Sequence, residues 1–254
     1  MICASKRESI MQHTFRYTLS ALLLTAALTW IGVAQAGFVA ADDAFKRGDY
    51  ATALRELRPL AEQGDAKAQH ILGIMYATGR GVPKDDTQAF AWYRKAAEQG
   101  NAAAQTNLGF MYENGRGVKQ DDAQAVAWYR KAAEQGNAPA QINLGAMYAY
   151  GKGVTQDETQ AVAWSRKAAE QGNAGSQLLL GIMYAEGRGV ARDDTQAVVW
   201  YHKAAEQGFA LAQFNLGIMY AEGRGVERDD TQAGAWYHKA AEQGNVRLYM
   251  KPSG

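Results

Sequence analysis

The sequence predicts an all-α fold in which antiparallel helix pairs stack into an α-α solenoid. The first observation is a glycine that returns every 36 residues, at Gly73, Gly109, Gly145, Gly181 and Gly217. The second is a near-identical segment around each glycine, such as LGIMYAEGRGV, which starts at Leu180 and again at Leu216. A fixed period in this range is typical of repeat arrays, in which each unit buries its apolar face against its neighbours.

Each repeat contains two predicted helices, and the second repeat, 101–136, illustrates the first of them. Ala104, Leu108 and Tyr112 are spaced i, i+4, i+8, which places them on one face of a helix. Gly115 follows at the position where a helix ends with a residue in the left-handed conformation, which glycine adopts without strain. The first helix is therefore expected to end in a glycine turn.

The second helix of each repeat is predicted from its cap and its apolar spacing. Asp121 is suited to cap the helix N-terminus, and Gln124 completes a capping-box pattern. Apolar residues then recur at helical spacing and include Trp128 as a buried anchor. The equivalent caps with their glutamines are Asp85 with Gln88, Asp157 with Gln160, Asp193 with Gln196, and Asp229 with Gln232. The equivalent anchors are Trp92, Trp164, Trp200 and Trp236.

The repeated glycine lies in the middle of each first helix, where glycine costs about 1 kcal/mol relative to alanine. A cost accepted in every repeat indicates that a neighbouring helix lies too close for a Cβ atom. Small residues on the second helix are the expected partners of this close crossing, namely Ala96, Ala97, Ala132 and Ala133.

Residues 1–36 do not belong to the array and have the layout of a secretory signal. Lys6, Arg7 and Arg16 precede an uncharged apolar run, and the segment AQA that ends at Ala36 matches a cleavage site. We predict a cleavable signal peptide, cut after Ala36, and a mature chain that is periplasmic or secreted. An uncleaved N-terminal anchor is the alternative, although the apolar run is shorter than the roughly 20 residues that span a bilayer.

The composition excludes two classes of interaction for the mature chain. The full chain has a formal net charge of +1, and its one cysteine, Cys3, lies in the predicted signal. Removal of residues 1–36 takes away three basic residues and Glu8, which leaves a formal charge of −1. This balance gives no electrostatic reason to bind nucleic acid, and no disulfide is expected.

The remaining chain divides into a cap, five repeats and a tail. Residues 37–64 are predicted to form one helix pair with a different turn, at Gly48, and to cap the array. The five repeats, which together span 65–244, are predicted at 65–100, 101–136, 137–172, 173–208 and 209–244. Residues 245–254 form a short tail without a recognisable capping helix. We therefore expect the second helix near Ala233 to fray or to self-associate.

The repeated pattern closely resembles the Sel1-like repeat family, which is related to tetratricopeptide repeats. The pattern LG-x-x-Y-x-x-G-x-GV, followed by D-x-x-x-A-x-x-WY-x-KAA-x-x-G, is present from Asp65 to Gly244, with Ser165 in place of one tyrosine. The resemblance implies a right-handed α-α superhelix that acts as an adaptor in assembly, secretion, envelope maintenance or host interaction. One cysteine-rich Helicobacter subgroup is linked to penicillin binding and weak β-lactamase activity, but its repeats carry disulfides that this sequence does not provide.

No catalytic residue, cofactor or metal site is predicted. The mature chain has the serines Ser165, Ser176 and Ser253, and none starts an S-x-x-K motif or lies in a G-x-S-x-G elbow. His202 and His238 occupy a position that other repeats fill with arginine, which indicates a solvated surface. Clustered metal ligands are not evident in the sequence.

Three repeated features have both a functional and a structural interpretation. Paired acids such as Asp85 and Asp86 could be catalytic carboxylates or calcium ligands, but their place at a helix start favours capping. The Gly-Arg-Gly turns lack the Lys-Ser/Thr and the flanking strand of a phosphate loop. The Trp-Tyr pairs could bind sugar, but their spacing matches the buried stripe.

The candidate binding surface is the face of each first helix that lies opposite its apolar stripe, about 180° away. In related repeats this face lines a concave groove. The predicted groove residues are His70, Ile74, Thr106, Asn107, Phe110, Ile142, Asn143, Tyr150, Leu178, Ile182, Leu211, Phe214, Asn215 and Ile218. The asparagines supply amides that can bond a peptide backbone. Packing against the preceding repeat is the alternative for the apolar members.

We therefore expect an exported, non-catalytic scaffold or adaptor that binds a protein or peptide segment in the groove. The sequence does not identify this partner; cell-envelope components are candidates, whereas nucleic acid and a stable membrane span after signal cleavage are not expected. The alternatives are a weak β-lactamase or a penicillin- or peptidoglycan-interacting protein of the Helicobacter cysteine-rich type, and a binder of cell-wall glycan.

Overall fold

A computed structural model describes residues 37–243. These residues form twelve α-helices and no strand, in two compact units that divide between Ala96 and Ala97. The predicted signal peptide, 1–36, and the predicted tail, 245–254, lie outside the described residues. No helix between residues 37 and 243 combines the length and the apolar character that crossing a membrane requires.

The first unit contains the helix pair predicted as a cap and the first repeat. Its helices are α1 (37–46), α2 (Tyr50–Glu62), α3 (Ala66–Thr78) and α4 (Asp86–Glu98). Gly48 lies in the turn between α1 and α2 with φ = +81°. Leu57 of α2 and Met75 of α3 are fully buried and belong to one apolar core.

The second unit contains four further repeats of the same design. Its helices are α5 (Ala102–Asn114), α6 (Asp122–Glu134), α7 (Ala138–Tyr150), α8 (Glu158–Glu170), α9 (Ala174–Glu186), α10 (Asp194–Glu206), α11 (Ala210–Glu222) and α12 (Asp230–Glu242). Each of these helices packs against its neighbours in sequence, so the predicted all-α solenoid of stacked helix pairs is confirmed. Odd-numbered helices from α3 onward are the first helices of their repeats, and even-numbered helices from α4 onward are the second helices.

The predicted caps form, but the capping box forms only in part. Gly115 has φ = +64°, and its N–H donates to the carbonyl oxygen of Met111, which ends α5. The Asp121 carboxylate accepts from the backbone N–H of Gln124 at 2.9 Å. The Asp121 N–H donates to the carbonyl oxygen of Tyr112 at 2.9 Å instead of to the Gln124 side chain. This bond ties the start of the second helix to the last turn of the first.

First helices carry N-caps that the sequence analysis did not identify. The Asn101 side chain accepts from the N–H of Ala104 at 2.9 Å, and Asn137 and Asn173 cap α7 and α9 in the same way. At α11 this position is Phe209, which makes no cap hydrogen bond and is exposed. Loss of such a cap costs about 1 kcal/mol.

Four of the five mid-helix glycines lie against an aromatic ring, and not against the alanines that the sequence suggested; the fifth, Gly145, lies against Ser165. A Cβ atom at Gly109 would lie 2.7 Å from two ring atoms of Tyr129 on α6. Such a distance is shorter than a carbon–carbon contact allows. The equivalent pairs are Gly73 with Tyr93, Gly181 with Tyr201, and Gly217 with Tyr237. The predicted close approach is therefore present, but the side chain that causes it is a tyrosine.

Candidate binding surface

Glutamine side chains tie successive repeats together. Gln141 is buried on α7, and its amide donates to the carbonyl oxygen of Ala133 in the preceding repeat at 3.2 Å. The Gln141 side-chain oxygen accepts from the amide of Gln171 at 2.8 Å. The equivalent pairs are Gln105 with Gln135, Gln177 with Gln207, and Gln213 with Gln243. The bond to the preceding repeat satisfies the buried amide and ties the first helix to the repeat before it, whereas each glutamine–glutamine bond lies within one repeat.

The glycine turn of each repeat contacts the start of the second helix in the preceding repeat. A Cβ atom at Gly153 would lie 2.3 Å from the backbone of Asp122, and φ at Gly153 is +66°, so both space and conformation require glycine. The Lys152 ammonium of the same turn lies 3.8 Å from the Asp122 carboxylate. The equivalent pairs are Arg188 with Glu158 at 3.3 Å and Arg224 with Asp194 at 2.9 Å. The second acid of each pair thus contacts a cation of the next repeat.

A buried tyrosine hydroxyl lies beneath the exposed face of the first helices. The Tyr129 hydroxyl donates to the Glu113 carboxylate at 2.7 Å, and the Asn143 side chain of the next repeat lies close to this hydroxyl. Burial, followed by the bond to Glu113, raises the pKa of Tyr129. Lys152 contacts the same carboxylate at 2.9 Å. The arrangement connects residues of two repeats around one ring.

The fourth and fifth repeats contain a related arrangement around Tyr201. Tyr201 is buried, and Asn215 of the next repeat lies close to its hydroxyl. Burial, with the nearby charge of Glu186 as the next cause, raises the pKa of Tyr201 to about 12. Between these two arrangements, the third repeat has Ser165 in place of the tyrosine, and the fourth has Leu179 in place of the asparagine.

The first helices of the second unit share a surface stripe, defined as three positions spaced i, i+3, i+7. Its members are Asn107, Phe110 and Asn114; Asn143, Ala146 and Tyr150; Leu179, Ile182 and Glu186; and Asn215, Ile218 and Glu222. Three of the six large apolar side chains exposed within residues 37–243 lie on this stripe. They are Tyr150 at 81 %, Phe110 at 43 % and Leu179 at 38 % exposure.

An open pocket of about 350 Å³ lies between α9 and α11. Its lining residues are Ile182, Ala185, Glu186, Tyr201, Leu211, Asn215, Ile218, Met219 and Arg224. Four of them belong to the surface stripe, so the stripe borders a concave site in the last two repeats. Its volume is at the lower end of the range of about 300–1,000 Å³ that is typical of ligand pockets.

Some predicted groove residues lie on the surface stripe or at the pocket, and others lie in the interior or are partly buried. Asn107, Phe110, Asn143, Tyr150, Ile182, Asn215 and Ile218 lie on the surface stripe, and Leu211 lines the pocket. Thr106 and Leu178 lie in the interior instead of on an exposed wall. Their helix position faces the neighbouring repeat: the Thr106 hydroxyl lies 3.0 Å from the Asn137 side-chain oxygen, and Leu178 belongs to the core.

The remaining predicted groove residues are partly buried. Ile142 and Phe214 share the helix position of Thr106, and the Phe214 ring lies 5.5 Å from that of Tyr237. In the first unit, Ile74 and His70 are partly buried, and burial lowers the pKa of His70. Leu179 was not among the predicted groove residues, because the neighbouring Leu178 was predicted to be the exposed residue of α9.

The tryptophan anchors pack as predicted, and each carries a lysine that the sequence analysis did not pair with it. Trp164, Trp200 and Trp236 are buried, and Trp92 and Trp128 are partly buried. The lysine three residues later places its ammonium 4.0–4.2 Å from the ring centroid in all five repeats. The spacing W-x-x-K places both side chains on one helix face and is the signal for this cation–π contact.

Ser165 and Ser176 are buried, and Ser253 lies outside the described residues. Between residues 37 and 243, no group of three or more His, Cys, Asp or Glu side chains is placed to hold a metal ion. His202 and His238 form surface contacts with Glu206 and Glu242 on their own helices, at 3.4 and 3.3 Å.

The solved structures similar to this chain include an Escherichia coli antigen and an Oxalobacter formigenes protein. A protective antigen of uropathogenic Escherichia coli strains, which displays an SLR fold, is 44 % identical with a TM-score of 0.80 over 84 % of this chain. This chain spans about half of that protein, 46 % of its length. A Sel1 repeat protein from Oxalobacter formigenes is 38 % identical, with a TM-score of 0.78, and the match covers 82 % of this chain and 86 % of that one.

Cysteine rich protein B of Helicobacter pylori aligns with half of this chain at 26 % identity and a TM-score of 0.41, a likeness that carries no inference about function. No curated protein sequence is detectably similar to this chain. The Sel1 repeat pattern matches residues 66–101, 102–137, 138–173, 174–209 and 210–245. The chain, most of which these five matches cover, belongs to the Sel1 repeat family.

Proposed function

We propose that the chain is an exported, non-catalytic scaffold that binds a segment of a partner protein along the surface stripe of its first helices. The observation that carries this proposal is the exposure of Phe110, Tyr150 and Leu179 on three successive first helices. Apolar side chains exposed in a contiguous set are typical of interaction sites. Proteins built from Sel1 repeats are typically protein-interaction scaffolds, which agrees with this use of the surface.

The packing of the repeats supports a preformed binding surface. Gln141 and its equivalents bond the first helices of the second unit to the preceding repeat, and Lys152 of the third repeat bonds to Glu113 of the second at 2.9 Å. A surface held in this way loses little conformational entropy when a partner binds. The burial of Ser165 and Ser176 supports a non-catalytic role.

The export part of the proposal rests on the sequence of residues 1–36. Its basic start, apolar run and cleavage site are typical of a secretory signal. Fractionation of native cells, with N-terminal sequencing of the recovered chain, tests it. The expected mature chain starts at Gly37 and is found outside the cytoplasm; an intact N-terminus in the cytoplasm contradicts export.

Aspartate substitutions test the binding surface. Phe110→Asp and Leu179→Asp place a charge on the stripe, and Val199→Asp is the matched control because Val199 is 40 % exposed on the second helix α10. Affinity purification from the native cell envelope, followed by mass spectrometry, should lose the same partner with both stripe variants and retain it with the control. Circular dichroism should show equal helix content in all three. Equal recovery of partners by all variants contradicts the proposal.

A further inference from the structure

We infer that the pocket between α9 and α11 takes an apolar side chain from a protein segment that carries a lysine or arginine close to that side chain. This inference rests on the proposed function and specifies the chemistry of the partner. It concerns one pocket in the fourth and fifth repeats, whereas the proposed function concerns the stripe of the whole second unit.

The walls of the pocket are apolar. Ile182 and Ala185 contribute from α9, and Leu211 and Ile218 contribute from α11. Its polar lining beyond the two charged residues is limited to Tyr201, which is buried, and Asn215, which lies close to the Tyr201 hydroxyl. An aliphatic or aromatic side chain fits this lining better than a polar one.

The charge that remains at the pocket is negative. Arg224 lines the pocket, and its guanidinium donates to the Asp194 carboxylate at 2.9 and 3.3 Å. Asp194 also accepts from Arg192 at 2.9 Å, so the ion pairs around the pocket join the carboxylates of Glu158, Glu186, Asp194 and Glu222 to the guanidiniums of Arg188, Arg192 and Arg224, with one carboxylate in excess. Glu186 also lines the pocket, and its carboxylate lies 3.7 Å from Arg188. Arg188 lies closer, at 3.3 Å, to Glu158. Glu186 is therefore only partly neutralised, and it faces solvent at the edge where a partner would enter.

The acidic edge is specific to the last two repeats. Glu222 occupies the same helix position on α11 as Glu186 on α9, and its nearest cation, Arg224 at 3.4 Å, is held by Asp194. The equivalent residues on α5 and α7 are Asn114 and Tyr150, which are neutral side chains. A cation beside the entering apolar side chain therefore gains attraction in this part of the stripe.

Three synthetic nine-residue peptides test the inference on the purified full chain. The first carries a leucine followed two residues later by a lysine; the second replaces that lysine with glutamate; the third replaces the leucine with serine. Nuclear magnetic resonance titration of the isotope-labelled chain measures affinity and maps the site. We expect the leucine–lysine peptide to shift the amides of Ile182, Leu211 and Ile218, and to bind about fivefold more tightly than the leucine–glutamate peptide.

A charge-reversal variant supplies the decisive comparison. Glu186→Lys should reverse the preference, so that the leucine–glutamate peptide binds more tightly. Asn114→Lys, at the same helix position in the second repeat, is the matched control and should leave the preference unchanged. Reversal in the first variant alone supports the inference. Equal affinities for the three peptides, amide shifts confined to other repeats, or no binding at millimolar peptide overturns it. The aspartate variants judge the scaffold proposal separately, so the two failures are distinguishable.

Discussion

The second and third repeats are built on the same plan but differ at the residue that faces the mid-helix glycine. In the second repeat, Gly109 accommodates the buried ring of Tyr129, whose hydroxyl donates to Glu113 and lies close to Asn143 of the next repeat. In the third repeat, Gly145 faces the Ser165 hydroxyl, and a Cβ atom there would lie 3.2 Å from that oxygen. The Tyr129 ring therefore requires glycine at position 109, whereas at position 145 the nearest atom belongs to a small, rotatable hydroxyl group.

The difference extends to the surface. Asn143 of the third repeat is partly buried and lies beside the tyrosine beneath it. The equivalent residue of the fourth repeat, Leu179, is exposed. The loss of a hydrogen-bonded tyrosine therefore coincides with the gain of an apolar side chain on the surface stripe. The helix position of Asn143 therefore contacts the neighbouring repeat in most of the unit. In the fourth repeat the same position is an exposed apolar surface, at Leu179.

The largest expected effect comes from removal of the ring in the regular repeat. Tyr129→Ser should lower the free energy of unfolding by about 3 kcal/mol, as large-to-small core substitutions do, and it also removes the hydroxyl that bonds to Glu113. Urea unfolding followed by circular dichroism measures the change. Ser165→Ala in the third repeat should cost less than about 1 kcal/mol. Equal losses in the two repeats would contradict the comparison.

The glycines should respond in opposite directions. Gly109→Ala gains about 1 kcal/mol of helix propensity but forces the buried Tyr129 ring to move, so we expect a net loss of about 1–2 kcal/mol. Gly145→Ala places its Cβ atom 3.2 Å from the rotatable Ser165 hydroxyl and at ordinary contact distance, 3.5 and 3.6 Å, from the backbone of Ala161 and Ser165. It should therefore be neutral or stabilising by up to about 1 kcal/mol. Thermal unfolding of the two single variants compares them directly. A gain of stability at Gly109 would show that the ring is not confined.

Restoring the regular residues in the irregular repeat should sharpen the comparison. The double variant Ser165→Tyr with Leu179→Asn recreates the arrangement around Tyr129, and Gly145 is already present to accept the ring. We expect a gain of about 1 kcal/mol, well below the burial energy of a full ring because the surroundings must readjust. Urea midpoints of the double and both single variants provide the test. A loss in the double variant larger than the sum of the single losses speaks against it.

The smallest effect is confined to alkaline pH. Tyr201 has a pKa raised from 10.0 to about 12 in the folded chain. The unfolded chain therefore loses this proton first, and stability should fall as the pH rises from about 10 to about 12. Below pH 10 the tyrosine adds no pH dependence. Tyr201→Phe should remove part of this fall, whereas Ser165→Ala should not; superimposable pH profiles for the wild type and Tyr201→Phe contradict the assignment.

Much of the fold was accessible from the sequence because its signals are local. The spacing of Leu108 and Tyr112, the cap at Asp121 and the turn at Gly115 each act within one helix and its ends, and each predicts its element correctly. The partner of Gly109 was predicted wrongly because the choice between Tyr129 and the alanines depends on the rotation of one helix against another. Sequence spacing alone does not fix that rotation.

The candidate site was less accessible for a related reason. Leu178 and Leu179 are adjacent and chemically identical, and only the orientation of α9 decides that the first is buried and the second exposed. Buried Gln141 was missed because a glutamine in a helix is usually on the surface, and its backbone partner lies in the preceding repeat. Interactions between repeats carry no local signature beyond the repetition itself.

Photo-crosslinking in the native cell tests the proposed binding surface most directly. Benzoylphenylalanine is placed at Leu179 on the surface stripe or at Val199 on a second helix, two positions with nearly equal exposure. Our account predicts a defined crosslinked partner from position 179 and none from position 199. The same partners from both positions, or a defined partner from position 199 alone, would contradict it.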